Sequence, residues 1–233
     1  MSTQLEQKNI IVTGGFGVLG RALGALLVQR GARVALLDRA PVPAGLETNA
    51  NLFAFGEADL SDAQGAKAAF DAAAGQLGGV DALVNVAGGF SWESIADGSI
   101  ETWDRMYSMN LRTAVLSAQA AVPHLLTRGA GRIVNVGALA SLKAGIGMGA
   151  YAASKAGVAR LTEALAEELK DHGVTVNAVM PSMIDTPANR ADMPDADFTR
   201  WVTPAALAAV IAFLLSDDGA PVTGACLPVA GRV

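Results

Sequence analysis

The chain has 233 residues, of which 52% are hydrophobic and 17% are charged, and its formal net charge is −5 at neutral pH. This composition fits a folded protein with a large apolar core and excludes an intrinsically disordered chain. The sequence has no run of basic residues and no apolar stretch of about 18 residues, so it predicts neither a nucleic-acid partner nor a membrane-spanning helix. The single cysteine, Cys226, excludes an intramolecular disulfide and fits a cytoplasmic location, and one cysteine with two histidines predicts no metal site.

Short apolar runs alternate with longer alanine-rich runs along the chain. The short runs predict strands over residues 9–12, 33–37, 52–55, 80–86, 132–136, 174–179 and 225–229. The longer runs predict helices over residues 17–30, 61–77, 100–127, 149–172 and 204–215. Ser61 is the expected N-cap of the second helix. The strands are continuous in Val, Ile and Leu, as in strands buried on both faces. We therefore expect a single α/β domain over residues 1–233, a doubly wound parallel sheet with helices on both faces.

One segment, residues 184–202, departs from this pattern because it is rich in Asp, Pro and Met. We expect it to be a mobile surface excursion over the carboxyl ends of the strands. Ligands bind at that edge in doubly wound sheets. The segment is therefore the predicted substrate loop.

A glycine-rich turn follows the first predicted strand and opens the first predicted helix. Within it the pattern G-x-G-x-x-G occurs in the strand–turn–helix context of a Rossmann-type dinucleotide site. Glycines let the backbone approach a pyrophosphate, and the helix N-terminus supplies N–H donors and partial positive charge. The alternative is a turn that only packs a helix on a strand. The predicted cofactor contacts here are Gly14, Gly15, Phe16, Gly17, Val18, Leu19 and Gly20.

Asp38 ends the second predicted strand, 18 residues after Gly20. A carboxylate at this position can accept hydrogen bonds from both hydroxyls of an adenosine ribose, and it would repel a 2′-phosphate. Asp38 therefore favours NAD(H). The neighbouring Arg39 can pair with a phosphate, which leaves NADP(H) open as a second cofactor. The alternative for Asp38 is a surface charge without a ligand.

Tyr151 and Lys155 lie four residues apart near the start of a long predicted helix, so they share one helical face. An ammonium close to a phenol favours the phenolate, and we expect it to lower the pKa of Tyr151. A tyrosine adjusted in this way can exchange a proton near neutral pH. Such pairs also occur by chance on solvated faces. Here the pair follows a predicted dinucleotide-binding turn in the same chain, which favours a catalytic role.

Taken together, these motifs resemble the short-chain dehydrogenase/reductase family, and the resemblance covers almost the whole chain. Further motifs that carry it are residues 85–88, 109–111, 176–181 and 222–224. The resemblance implies that Tyr151 is the proton donor, that Lys155 binds the nicotinamide ribose, and that Asn110 holds a water in a proton relay. It also implies a homodimer or homotetramer. Its further implied cofactor contacts are Asp59 at the adenine, Leu60, Asn85, Ala87, Gly88, and, at the nicotinamide, Ile184 and Thr186.

The chain departs from the family at the catalytic serine, because the position 13 residues before Tyr151 holds Ala138. Ser141 and Ser154 lie near it in the sequence, and both are expected to be structural. Quinonoid dihydropteridine reductase also has alanine at this place, and its Ala-Gly-Gly-aromatic turn resembles residues 87–90. That local resemblance implies a flat, conjugated substrate. The predicted substrate contacts are Phe90, Trp92, Ala138 and Met183.

Three functions follow from these observations. The leading hypothesis is an NAD(P)-dependent oxidoreductase that transfers a hydride to a C=O or C=N group of a small molecule, with a quinonoid pterin as one candidate. The second is an ordinary carbonyl reductase or alcohol dehydrogenase in which water or another side chain replaces the serine. The third is a dinucleotide-binding sensor with little turnover, which would not need the Tyr151–Lys155 pair.

Overall fold

A seven-stranded parallel sheet forms the centre of the computed structural model, which describes residues 5–233. The order across the sheet is β3-β2-β1-β4-β5-β6-β7, and every neighbouring pair is parallel. The predicted doubly wound sheet is confirmed. The order reverses between β1 and β4, which is the place where open α/β sheets bind ligands. The strands are β1 (Asn9–Thr13), β2 (Arg33–Leu37), β3 (Leu52–Phe55), β4 (Ala82–Asn85), β5 (Gly131–Val136), β6 (Val174–Pro181) and β7 (Cys226–Val229).

Helices cover both faces of the sheet, as the alternation of elements predicts. Two of them, α3 and α4, are joined by a π-helical segment, Tyr107–Arg112. Within residues 5–233, none of the helices has the length and apolar character needed to cross a lipid bilayer. The helices are α1 (Val18–Gln29), α2 (Ala63–Leu77), α3 (Ile100–Met106), α4 (Thr113–Arg128), α5 (Gly149–Leu169), α6 (Pro187–Asp192) and α7 (Pro204–Leu215).

Two apolar cores flank the sheet because successive strand residues point to opposite faces. Ile10 and Val12 of β1 lie in the core under α1 and α7, whereas Ile11 between them lies in the core under α2, α4 and α5. All three side chains are fully buried. Burying one such side chain contributes about 1.5–3 kcal/mol. This two-sided burial explains why the strands show no polar alternation.

The structure corrects several predicted boundaries. Ser61 does not cap α2, because its hydroxyl donates to Asp59 at 2.6 Å. Asp62 is the cap instead, and its carboxylate accepts the N–H of Gly65 at 2.7 Å. The helix predicted over residues 100–127 is divided by the π-helical segment. Strand β4 is shorter than predicted, and β6 extends two residues beyond its predicted end. The helix predicted to end at residue 172 ends in a 3₁₀ turn.

The predicted substrate loop, residues 184–202, has more regular structure than its composition suggests. It contains α6 and is closed at its base by a parallel bridge between Ile184 and Val202. Asp185 accepts two hydrogen bonds from the guanidinium of Arg190, at 2.6 and 2.8 Å. The same guanidinium lies 4.5 Å from the centre of the Phe198 ring. These contacts fold the segment onto itself beside the carboxyl ends of the strands.

Candidate active site

A cleft of about 1450 Å³ opens at the carboxyl ends of the strands. Its lining includes residues that directly follow β1, β2, β4, β5 and β6, so it lies over the point where the strand order reverses. Four of the predicted site residues do not line it: Gly15, Phe16, Asn85 and Asn110. The predicted residues that do line it are Gly14, Gly17, Val18, Leu19, Gly20, Asp38, Asp59, Leu60, Ala87, Gly88, Phe90, Trp92, Ala138, Tyr151, Lys155, Met183, Ile184 and Thr186.

The glycine-rich turn presents the open end of α1 to the cleft. Gly17 is the N-cap, no side chain caps the helix, and its first turn holds no acidic residue. The first N–H groups of a helix have no partner within the helix and attract anions. A Cβ at Gly20 would lie 2.3 Å from the carbonyl oxygen of Gly14, so this tight turn requires glycine there. The turn therefore fits the pyrophosphate of a dinucleotide.

Gly15 and Phe16 join this turn to β2. The N–H of Gly15 donates to the carbonyl of Leu37 at 3.0 Å, and the N–H of Phe16 donates to the Asp38 carboxylate at 3.0 Å. Both bonds join the turn to the end of β2. These bonds give both residues a supporting role in the turn, and their contact with the cofactor stays a prediction.

Two carboxylates stand at the end of the cleft nearest β2. Asp38 accepts N–H groups from Phe16 and Ala40, each at 3.0 Å, which fixes the carboxylate at the cleft wall. A carboxylate has about four acceptor sites, so two remain for further donors. At Asp59, the hydroxyl and the backbone N–H of Ser61 hold the pKa of the carboxyl below its usual range. The arrangement fits a ligand with several hydroxyl or amino donors.

Tyr151 and Lys155 both line the cleft from α5. The phenol ring of Tyr151 lies edge-on to the ring of Phe90, with centroids 5.0 Å apart. Lys155 is buried, and its Nζ donates to the carbonyl of Val136 at 2.8 Å. Burial lowers the pKa of Lys155 to about 8 and raises the pKa of Tyr151 to about 12. The expectation of a lowered tyrosine pKa is therefore wrong, because burial removes the phenol from water and disfavours the phenolate.

A buried chain of hydrogen bonds joins the sheet to α5. Asn85 of β4 donates to Asn135 of β5 at 2.9 Å, and Asn135 donates to the hydroxyl of Thr162 at 2.8 Å. Thr162 donates in turn to the carbonyl of Val158 at 2.8 Å. The amide of Asn85 donates into the sheet and the residue does not line the cleft, so its contact with the cofactor stays a prediction. This chain of bonds holds α5, and with it Tyr151 and Lys155, against the sheet.

Asn110 lies in the π-helical segment and joins two walls of the site. Its amide oxygen accepts the N–H of Gly89 at 2.9 Å, and its amide nitrogen donates to the Gly89 carbonyl and to the Ser154 hydroxyl, at 3.1 and 2.9 Å. Ser154 donates onward to the carbonyl of Tyr151 at 2.7 Å. Both amide hydrogens are used, so the side chain has none to donate to the water expected from the resemblance. Short π-helical segments within helices are rare and occur frequently at functional sites.

An aromatic wall stands beside Tyr151. Phe90 and Trp92 are 56% and 61% exposed, and both line the cleft. Gly147 lies directly against the indole of Trp92, since a Cβ there would come within 2.2 Å of that ring. Thioether side chains surround the same space, and these are flexible apolar groups that adapt to a ligand. They belong to Met109, Met148, Met183 and Met193.

No hydroxyl side chain occupies the position of the family's serine. Ala138 lines the cleft there and is buried. The hydroxyl of Ser141 donates to the Ala138 carbonyl at 2.7 Å, and the hydroxyl of Ser154 donates to a carbonyl of α5. Neither serine lines the cleft. Both hydroxyls are thus bound to the backbone, as a structural role requires.

Sequence reasoning missed several residues of this site, notably Arg105, Met109 and Met148, which all line the cleft. A signal was available for two of them. Arg105 and Met109 are four residues apart within one predicted helix and therefore share a face. The neighbouring Asn110 already marked that helix as part of the site.

Comparison with known proteins agrees with this geometry. The family model described as short chain dehydrogenase matches residues 8–197. The chain is 38% identical to 4-formylbenzenesulfonate dehydrogenase TsaC1/TsaC2 of Comamonas testosteroni, over 97% of this chain and 98% of that protein. It is 35% identical to 2-(R)-hydroxypropyl-CoM dehydrogenase of Xanthobacter autotrophicus, over 95% of this chain and 96% of that protein. The crystal structure of carveol dehydrogenase from Mycobacterium avium in complex with NAD superposes with a TM-score of 0.87, at 27% identity over 98% of each chain.

The sheet, the glycine turn and the cleft fit a dinucleotide-binding enzyme, and the family match and the relatives show an oxidoreductase that uses a nicotinamide dinucleotide and acts on small molecules. The chain belongs to the short-chain dehydrogenase/reductase family.

Proposed function

We propose that the protein transfers a hydride between NAD(H) and the carbonyl carbon of an aromatic aldehyde or ketone, with Tyr151 moving the proton. The observation that carries this proposal is the position of the Tyr151 phenol, which lies in the cleft and edge-on to the half-exposed ring of Phe90. A proton donor beside an aromatic surface suits a substrate whose reacting oxygen is attached close to a flat ring.

The cofactor would be held by residues that fit its parts one by one. The open N-terminus of α1 would bind the pyrophosphate, and the fixed carboxylate of Asp38 would accept the two ribose hydroxyls and disfavour a 2′-phosphate. Asp59 and Leu60 would contact the adenine. When bound, the nicotinamide supplies or accepts the hydride. The contacts proposed around it are Ala87, Gly88, Lys155, Ile184 and Thr186.

Tyr151 and Lys155 divide the proton chemistry between them. A phenol whose pKa is about 12 keeps its proton at neutral pH, so in reduction Tyr151 can give it to the alkoxide that forms on the substrate. The phenolate left behind is stabilised by the ammonium of Lys155 on the same helical face. In oxidation the same two groups act in reverse, and Tyr151 takes the hydroxyl proton.

The proposed substrate class rests on the apolar character of the wall. Phe90 and Trp92 offer flat surfaces, and the methionines around them fill the remaining space. A relative that acts on 4-formylbenzenesulfonate, by its name an aromatic aldehyde, is 38% identical to this chain. We therefore assign benzaldehyde-type compounds and the corresponding benzyl alcohols as the first substrates to test.

Substitution of the proton donor tests the proposal. In Tyr151→Phe, reduction of benzaldehyde by NADH should fall at least about 100-fold, the scale of general acid catalysis, while NADH still binds. The matched control is Tyr107→Phe, because Tyr107 is the chain's other tyrosine and does not line the cleft. Turnover is followed by NADH absorbance and binding by NADH fluorescence. Near-normal activity in Tyr151→Phe would exclude Tyr151 as the donor.

A second candidate function is reduction of a quinonoid dihydropterin, and Ala138 is the observation that favours it. A conjugated ring spreads the charge that develops during reduction, so it depends less on a hydroxyl donor at that position. The two candidates separate in one assay of the wild-type protein with NADH. Rapid reduction of quinonoid dihydropterin without reduction of benzaldehyde would select the second function.

A further inference from the structure

Arg105 places a positive charge next to the aromatic wall. Its guanidinium donates to the Ser91 hydroxyl at 3.0 Å, and Ser91 is the residue between Phe90 and Trp92. A second bond from the same nitrogen reaches the Thr102 hydroxyl at 3.3 Å. Arg105 itself lines the cleft. These two bonds hold the guanidinium beside the segment that carries Phe90 and Trp92.

The charge of Arg105 is not neutralised by the protein. Its two partners are neutral hydroxyls, and within residues 5–233 no carboxylate forms an ion pair with it. Both bonds use one terminal nitrogen, so Nε and the other terminal nitrogen, with three N–H donors, remain for a ligand. Such a fork matches the oxygens of a carboxylate or sulfonate.

Among the charged side chains that line the cleft, Arg105 is the one beside the aromatic wall. Arg39 follows Asp38 at the opposite end, and Lys155 is buried beneath the centre. The acidic side chains of the lining are Asp38 and Asp59, near the end of β2, and Asp192 on α6. Arg105 is therefore the lining residue that can attract an anion to the aromatic wall.

We infer that Arg105 binds an anionic substituent of the substrate, a carboxylate or sulfonate carried on the aromatic ring, and so sets a preference for negatively charged aromatic aldehydes and alcohols. This inference rests on the proposed function. The apolar wall binds the ring, Tyr151 serves the carbonyl oxygen, and Arg105 holds the charged end.

The test compares 4-carboxybenzaldehyde with benzaldehyde in the wild type, Arg105→Gln, Arg105→Lys and Lys67→Gln. The readout is the ratio of kcat/KM for the charged aldehyde to that for the neutral one, with NADH saturating. In Arg105→Gln this ratio should fall about tenfold or more, since a bond to a charged group is lost. Arg105→Lys, which keeps the charge, should lose less. Lys67→Gln removes one positive charge from an exposed side chain on α2, and its ratio should match the wild type.

A ratio that is unchanged in Arg105→Gln overturns the inference, while continued reduction of benzaldehyde leaves the proposed function standing. If the wild type reduces neither aldehyde, the proposed function fails, and binding then decides the inference alone. Calorimetric titration of the NADH-loaded protein with 4-(hydroxymethyl)benzoate and with benzyl alcohol gives the same comparison without turnover. Equal loss of affinity for both compounds in Arg105→Gln would also refute the role in anion binding.

Discussion

The buried ammonium of Lys155 should make the stability of the protein depend on pH in a specific way. Its pKa is lowered by burial from an ordinary value of 10.5 to about 8. Between these two pH values the unfolded chain binds a proton that the folded chain does not. The free energy of unfolding therefore rises with pH across this range. Below pH 8 both states hold the proton, and the folded state bears the full cost of burying the charge.

The magnitude follows from the displacement of the pKa. One pH unit corresponds to about 1.4 kcal/mol, so the difference between pH 7 and pH 10.5 amounts to about 3 kcal/mol. Lys155→Met removes the titrating group and keeps an unbranched side chain of similar length. Relative to this variant, the free energy of unfolding of the wild type should rise by about 3 kcal/mol from pH 7 to pH 10.5. Between pH 8 and 10 the rise should be about 1.4 kcal/mol per pH unit.

Urea unfolding without added cofactor, at half-unit steps from pH 7 to 10.5, measures this difference. Other titrating groups are common to both proteins and cancel in the subtraction. Lys67→Met is the matched control, because the Lys67 side chain is 73% exposed. The free energy of unfolding of this variant should differ from that of the wild type by a constant amount across the pH range. A constant difference between the wild type and Lys155→Met across the range would falsify the premise that Lys155 is charged and desolvated in the folded protein.

Two further predictions concern the ends of the cleft. Asp38→Ala should raise the use of NADPH relative to NADH, because it removes a carboxylate that repels a 2′-phosphate. If the wild-type protein already binds NADPH more tightly than NADH, Asp38 does not select the cofactor. Ala138→Ser should accelerate the reduction of simple ketones and aldehydes, since it restores a donor to the substrate oxygen, and should leave quinonoid dihydropterin reduction unchanged or slower. Steady-state kinetics on both substrate classes decides it, and loss of rate with ketones would contradict the proposed donor position.

Much of the fold could be predicted because its signals are local. The apolar runs identify strands buried on both faces, and the glycine turn needs only a strand before it and a helix after it. Asp38 follows directly from the end of β2. The spacing of Tyr151 and Lys155 places them on one helical face without knowledge of the rest of the chain.

The errors arise where the outcome depends on tertiary contacts. Leu83 and Asn85 are two residues apart in β4, so their side chains point to the same face of the sheet. Leu83 packs in the core under α2, α4 and α5, and the Asn85 side chain points to that face and donates to Asn135. The pKa of Tyr151 depends on exclusion of water, which spacing does not reveal. The π-helical segment Tyr107–Arg112 changes the hydrogen-bond period over a few residues and leaves no periodic pattern to detect. The spacing of Arg105 from Met109 indicates a shared helical face but does not reveal that Ser91 lies beside the guanidinium.

The buried hydrogen-bond chain from Asn85 through Asn135 to Thr162 has a consequence for how such a site can change during evolution. It binds α5, the helix that carries Tyr151 and Lys155, to the sheet through residues of β4, β5 and α5 itself. Substitutions at Trp92 or along residues 187–202 can therefore alter what enters the cleft while α5 stays bound to the sheet. Phe90 differs, because its ring contacts the ring of Tyr151. Directed evolution toward new aldehydes should therefore accumulate its mutations at Trp92 and along residues 187–202.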